Sequence, residues 1–522
     1  MESKILITSF VYYNVIRLGI GEFTKFKEDN MKKLFIAGIL GIFFLTGWKS
    51  EEKIITETGT IKYIQLEGGF YGIVTEKGGK YLPVNLKEEF KKDGLRIWFK
   101  ARPKKVATIQ MWGKPIEILE IQKIREKKVK NFSQIKVAVL YERIGDGKWI
   151  NRSVEDEIKI FKETNTDFIL RAFWRWASCP EKFDDLPEKL REKFKLKGYS
   201  YSHLEKTISK IKKEIPGIII CGAIPAQIIQ RKVVWNPQTK EIIRYPETWN
   251  LALDPSKWKI DMSKEELQCR FAKTHFWVPQ DLNCRDYNPD TASAYFPDIT
   301  NKKFQELLLS WAKRQIDAGV DAVWIDMLFR QVIMLYRITR DFNHPAVKES
   351  YESAWKIVKK IHQYGEKKGK DILVGSWPTA IYFPYPLPGL DFVTLSPSRR
   401  EVREMKLDGK EWDKRLKLIR KKFGNIPIFA FIDWAGSTKT PLGEFSQVLT
   451  KEEQKEFLRK SDEFFSQRNV IFAFPVHGGF MGHDAKVLSF GKSRVYDSFA
   501  PEFKTYKTIK NLAQSKCVGK DE

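Results

Sequence analysis

Histidine is scarce in this chain: there are six in 522 residues, and none lies in an H-x-H or H-E-x-x-H arrangement. Metallohydrolases draw their ligands from such pairs, so no resident metal is expected. Cysteine is scarce too. The five, Cys179, Cys221, Cys269, Cys284 and Cys517, include no C-x-x-C pair, which removes the usual zinc and thiol-redox motifs. Cys269 and Cys284 flank one aromatic-rich segment and are placed to bridge in an oxidising compartment. Long basic runs and RNA-binding signatures are missing as well, although the formal net charge is +26. The lysines are scattered along amphipathic stretches and mixed with glutamate. That pattern reads as a solvated surface of heat-adapted type, and no nucleic-acid partner is expected. No motif calls for a cofactor.

What is present is length enough for two or three domains, and 13% aromatic residues, whose flat rings suit both cores and sugar stacking. Residues 1–52 read as an upstream extension followed by a signal or anchor segment. Met31-Lys32-Lys33 supplies a positive start, and Leu34 to Thr46 an apolar run of secretory length, short for a membrane span. Leu45-Thr46-Gly47 matches the front of a lipoprotein signal, but Trp48 stands where the lipidated Cys belongs. The expectation is an exported protein, extracellular or associated with the cell envelope or its membrane.

Residues 53–125 carry short alternating runs separated by glycine turns. Ile54 to Leu66, Phe70 to Val74, Tyr81 to Val84, Leu95 to Phe99 and Ile116 to Ile121 are five such runs, with Gly68-Gly69, Gly78-Gly79 and Asp93-Gly94 between them. This predicts a small closed, OB-like barrel with no catalytic constellation of its own. Lys123 to Lys130 is a charged linker.

From residue 135 to about 515 the pattern becomes strand–helix alternation. Eight apolar runs fit buried parallel strands: 135–141, 167–173, 218–223, 320–326, 371–377, 391–396, 426–433 and 470–477. Between the third and fourth, residues 225–300 form a long insertion rich in Trp, Tyr, Asn and Pro. A helix over 301–318 is expected, with Phe304, Leu307, Leu308 and Trp311 on its buried face. Repeated βα units of this number predict an α/β protein built on a (β/α)8 barrel.

Such barrels gather their chemistry at the C-terminal ends of their strands. Those ends carry Glu142, Arg171 with Arg175 just beyond, Asp326, Ser376-Trp377, Ser396, Asp433-Trp434 and His477. Asp326 and Asp433 recur in the same register after an apolar run. Paired carboxylates facing a cleft are what glycosidic cleavage needs: one protonates the leaving oxygen while the other attacks or activates water. Arg171, Arg175, Trp377, Trp434, His477 and Ser396 are the candidate substrate-binding residues.

The segment Asp298-Ile299-Thr300-Asn301, the following helix, and Gly319-Val320-Asp321-Ala322-Val323-Trp324-Ile325-Asp326 resemble the region around the nucleophile in alpha-amylase-type and alpha-galactosidase-type glycoside hydrolases. The resemblance implies that Asp326 is the nucleophile at the end of the fourth barrel strand. Trp324 replaces the amylase-type arginine, and Ser376-Trp377 replace the usual glutamic acid. Ser396-Pro397, with Glu401 nearby, replace the galactosidase-type aspartate. Asp433 is therefore the first candidate for the acid/base, with Glu401 and Glu142 in reserve. Three readings follow: an exported glycoside hydrolase acting on a poly- or oligosaccharide, a non-catalytic cell-surface carbohydrate-binding barrel, and a metal-dependent hydrolase using His477 and His483.

Overall fold

The computed structural model describes residues 54–123, apart from 67, 76–77, 105, 107–109 and 111, together with 135–145, 152–174, 201–236, 241–274, 278–489 and 493–516. The signal-like segment at 31–47, the linker and Arg175 lie outside the described residues. Among the described residues, no helix is long and apolar enough to cross a membrane. The chain divides into two units, one over residues 29–131 and the other containing 132–522.

The smaller unit is a closed five-stranded barrel: β1 (Ile55–Ile64), β2 (Phe70–Thr75), β3 (Lys80–Pro83), β4 (Arg96–Pro103) and β5 (Lys114–Lys123), in the order β1-β2-β3-β5-β4. β4 closes onto β1, and β3 runs parallel to β5, the connectivity expected of an OB-type barrel. Its interior is Ile61, Ile73, Ile97, Phe99, Ala101 and Ile116, every second residue of the alternating runs. Closure leaves the sheet no free edge.

The larger unit is an eight-stranded parallel barrel. Its strands are β6 (Ala138–Tyr141), β7 (Phe168–Trp174), β8 (Ile219–Pro225), β13 (Ala322–Asp326), β14 (Leu373–Ser376), β15 (Phe392–Leu395), β16 (Ile428–Ala430) and β17 (Ile471–Phe480). Pairing of β17 with both β16 and β6 closes the ring. A short antiparallel strand, β18 (Val495–Asp497), extends β17 outward. Among the described residues the helices are α1 (Val154–Glu163), α2 (Tyr201–Glu214), α3 (Lys264–Thr274), α4 (Lys302–Asp317), α5 (Arg330–Thr339), α6 (Pro345–Lys367), α7 (Arg399–Arg403), α8 (Gly409–Phe423), α9 (Pro441–Gln447), α10 (Lys451–Ser466) and α11 (Tyr506–Ser515). α4 starts where Asn301 accepts from the Lys303 and Phe304 N–H groups. It buries Phe304, Leu308, Trp311, Ala312 and Ile316, leaving Leu307 only half-buried. Between β14 and β15 a single 3-10 turn, Pro378–Tyr382, stands in place of a helix.

The insertion after β8 has its own small framework. β9 (Ile229–Gln230) pairs with β12 (Ala294–Tyr295), and β10 (Lys232–Asn236) forms a hairpin with β11 (Glu241–Arg244). Leu253, Leu267, Phe271 and Phe296 pack together, and a Cys269–Cys284 disulfide ties α3 to the following loop.

Alternation along the barrel strands sorts the side chains. Val139, Ile169, Val323, Val374 and Phe472 belong to the main core shared with the helices. Ala138, Leu140, Phe168, Leu170, Cys221, Ala322, Trp324, Phe392 and Phe429 fill the barrel interior. Phe168, Phe392 and Phe429 form one aromatic layer, with centroids 4.6–5.7 Å apart. Gly375 makes room for that layer, since a Cβ there would lie 2.1 Å from the Phe392 ring. One layer nearer the C-terminal ends, Trp324 donates its indole N–H to Thr394 Oγ1 at 2.9 Å.

The opposite end of the barrel is locked by aspartates. Asp167, Asp321 and Asp391 each stand one residue before a barrel strand and accept backbone N–H groups of the preceding neighbour. Asp167 takes Lys136 and Val137, Asp321 takes Ile220, and Asp391 takes Val374 while also bonding His362. This end of such barrels serves stability. Asp391→Ala, which strands a buried N–H, should cost about 1–3 kcal/mol in chemical denaturation. It should leave any ligand affinity at the other end unchanged; a loss of binding without a loss of stability would contradict this role.

Candidate active site at the barrel mouth

The inward registers run on past the strands into a polar layer. Ala138 and Leu140 lead to Glu142, Ala322 and Trp324 to Asp326, and Phe429 and Phe431 to Asp433. Arg171 joins them by a different route. The pairing of β7 with β8 slips between Ile169 and Phe173, and Arg171 adopts a left-handed backbone with φ 60°. Such a slip re-aims a side chain, at a strain cost of about 1–3 kcal/mol for a residue other than glycine.

The Arg171 guanidinium is enclosed by aromatic rings. Its central carbon lies 4.3 Å from the Trp324 centroid, 4.7 Å from Phe431, 5.1 Å from Trp174 and 5.3 Å from Trp434. Its Nη1 is 3.5 Å from Glu142 Oε1 and its Nη2 is 3.4 Å from Asp433 Oδ1. Arg171 is 2% exposed, and its Nε and Nη1 make no hydrogen bond among the described residues.

Asp326 is gripped on both oxygens: Trp377 Nε1 donates to Oδ1 at 2.9 Å and Gln227 Nε2 to Oδ2 at 3.1 Å. Burial raises its pKa, against the opposing pull of Arg171, the two donors and Arg330. Asp433 accepts from Arg171 Nη2 at 3.4 Å. Burial pushes it up to about 7; Arg171 opposes the shift and the Asp326 charge adds to it. The pair can therefore hold one proton between them near neutral pH, with Asp433 as its holder.

Glu142 is 0% exposed, and both of its oxygens are engaged. Gly479 N–H donates to Oε2 at 3.0 Å and Trp434 Nε1 to Oε1 at 3.2 Å. The glycine turn is required here, since a Cβ on Gly478 (φ 119°) would lie 2.6 Å from Glu142 Cγ. Trp434 is half-buried, which leaves part of the indole at the mouth.

Four of the expected site residues are engaged within the protein itself. His477 does not reach the mouth. The β17–β6 register slips between Pro475 and His477, and the imidazole turns to Asp497, with Nδ1 2.8 Å from Oδ2. It lies against Tyr141, whose ring packs on Phe161 of α1 outside the barrel, and Arg152 links Tyr141 to Asp497. Glu401 is spent on local structure: it completes a capping box with Ser398 and accepts from Asp408 N–H and Trp412 Nε1. Trp377 is 3% exposed and offers Asp326 its N–H rather than a face to a sugar. Ser396 Oγ accepts the Asp433 N–H and donates to the Pro397 carbonyl, so it fixes the backbone at Asp433. Gln227 was not anticipated; it lies just past the end of the third strand. Among the described residues, no group of three or more His, Cys, Asp and Glu side chains is arranged to hold a metal ion.

No family model matches the chain and no curated protein matches it. Among solved structures, the chain is similar to the glycoside hydrolase domain of PelA from Pseudomonas aeruginosa, with 9% identity, 65% of this chain and 94% of that one covered, and a TM-score of 0.33. It is also similar to the alpha-amylase from Geobacillus thermoleovorans complexed with acarbose, with 11% identity, 73% and 79% covered, and a TM-score of 0.38. The type III pullulan hydrolase from Thermococcus kodakarensis gives 8% identity, 90% and 84% covered, and a TM-score of 0.37. Likeness at this level carries no weight on activity, which rests on the site alone.

The Asp433 shift has a stability consequence. The folded chain binds a proton on Asp433 up to about pH 7, whereas an unfolded aspartate releases it near its ordinary value of 3.8. Stability from this group is therefore greatest below the unfolded value, declines as pH rises through the window between, and is flat above about 7. Asp433→Asn, which stays neutral, should melt near the wild-type temperature at pH 4 and above it at pH 8. A variant that melts lower at pH 8 would show that the carboxylate is held charged.

Proposed function

We propose that the barrel is a glycoside hydrolase in which Asp326 and Asp433 cleave a glycosidic bond. The observation that carries this reading is the division of labour between two inward carboxylates. One is hydrogen-bonded on both oxygens, and the other is pushed up to about 7 by burial and by its neighbour. In this reading Asp433 donates its proton to the leaving oxygen. Asp326, with Trp377 and Gln227 fixing its orientation, attacks the anomeric carbon or activates a water. The exposed part of the Trp434 indole offers a stacking face for a sugar ring.

The substrate is a poly- or oligosaccharide. Export is part of the same proposal, supported by the Lys32-Lys33 and Leu34–Thr46 pattern and by the Cys269–Cys284 disulfide, a linkage favoured by oxidising compartments. Finding the native protein reduced in the cytosol with residues 31–47 retained would remove that part.

Release of reducing ends from a glycan panel is the direct test. Asp326→Asn should lower kcat by about a thousand-fold or more while glycan binding persists, as for loss of a group acting in the transition state. Asp433→Asn should cost about a hundred-fold or more on poor leaving groups and much less on activated aryl glycosides. Since the acid must be protonated, wild-type kcat/KM should fall as pH rises through about 7. Full activity in Asp326→Asn would sink the assignment. Glycan binding with no cleavage by the wild type would favour the carbohydrate-binding barrel.

A further inference from the structure

Arg171 answers to two carboxylates at nearly equal distances, 3.5 Å to Glu142 and 3.4 Å to Asp433. Both are long beside the roughly 2.8 Å of a tight charge-assisted bond. Four aromatic rings surround the guanidinium, with centroids 4.3–5.3 Å from its central carbon. Glu142 is itself anchored, by Gly479 N–H on one oxygen and Trp434 Nε1 on the other, and it has no exposed surface from which to meet a substrate. It is poorly placed to act as an acid and well placed to divide the Arg171 charge.

We propose that Glu142 is a positioning residue that holds Arg171 midway, withholding part of the guanidinium charge from Asp433, and that pins the Trp434 indole beside it. The role rests on the reading of Asp433 as the acid. The charged groups facing Asp433 are Arg171 from β7 and Asp326 from β13, with Glu142 acting from β6 through Arg171. Arg330 of α5 acts on Asp326, and His477 of β17 is turned away to Asp497. Glu142 is thus the competitor for Arg171. By drawing on Arg171 it leaves less of the guanidinium charge for Asp433, which favours the protonated form of that acid.

The test is a pH titration of the full chain by infrared difference spectroscopy. The protonated-carboxyl band of Asp433 is identified by its loss in Asp433→Asn. Glu142→Gln keeps an oxygen for the Trp434 N–H and removes the charge, so the Asp433 midpoint should fall by about one pH unit or more, and the basic limb of kcat/KM should move with it. Trp434→Phe removes a donor from Glu142 and leaves its charge freer to draw Arg171, so the midpoint should rise. If Glu142→Gln does not fold, the Trp434→Phe arm decides, because that ring is only half-buried. An unmoved midpoint in both variants, or a shift in the same direction in both, overturns the proposal. Midpoints that move in opposite directions without any glycan cleavage uphold the positioning role and end the hydrolase reading. Cleavage with unmoved midpoints does the reverse.

Discussion

The mouth of the barrel depends on one buried cation. Withdrawing a guanidinium from water costs several kcal/mol unless it is compensated. Arg171 is compensated twice, by four aromatic faces that attract its charge through their quadrupoles and by Glu142 and Asp433 at ion-pair distance. The dependence is mutual. Three carboxylates project into this layer, and its positive charge is part of what makes them tolerable there; it lowers both Asp326 and Asp433 against the effect of burial. An aliphatic residue at 171 would leave buried anions without their neighbour, a heavier loss than the pair distances alone suggest.

Aspartate serves opposite purposes at the two ends. At the N-terminal end, Asp167, Asp321 and Asp391 take backbone N–H groups of adjacent strands and set their registers. There the groups act as staples. At the mouth, Asp326 and Asp433 face side-chain donors, a cation and each other, and burial prevails. Between the two ends lie the Phe168–Phe392–Phe429 layer and the Trp324 layer, which fix the strand spacing that brings the mouth residues together.

The architecture was legible because buried parallel strands write themselves as continuous apolar runs, and closed small barrels as alternating runs with glycine turns. Strand ends were less so: the run from 426 to 433 pairs only over Ile428–Ala430, because its last residues rise into the mouth. Asp326, Asp433 and Glu142 were legible by alternation. His477 was not, because a register slip turns it outward, and nothing in an apolar run marks a slip. Glu401 was readable otherwise, since Ser398 and Glu401 have the S-x-x-E spacing of a capping box. Gln227 was passed over because the third strand ends in Pro225-Ala226 and a neutral amide, invisible to a search for charge. The cage around Arg171 draws rings from β7, β13 and the segment after β16, a convergence that only the closed barrel produces.

Backbone strain is present at the mouth as well as at turns elsewhere in the chain. Arg143 (φ 66°), Arg171 (φ 60°), Met327 (φ 52°) and Gly478 (φ 119°) take left-handed conformations as the chain leaves, or nearly leaves, β6, β7, β13 and β17. Each adjoins a mouth residue: Glu142, Arg171 itself, Asp326, and Gly479 with its N–H on Glu142. For the three that are not glycine, the conformation costs about 1–2 kcal/mol each. A chain leaving a strand in extended form would carry its last side chain up and away with the loop. A left-handed residue turns the backbone aside next to the mouth residue. Strain and buried charge are thus two parts of one geometric solution, and the aromatic layers and the aspartate-locked lower end supply the stability that lets the mouth keep both.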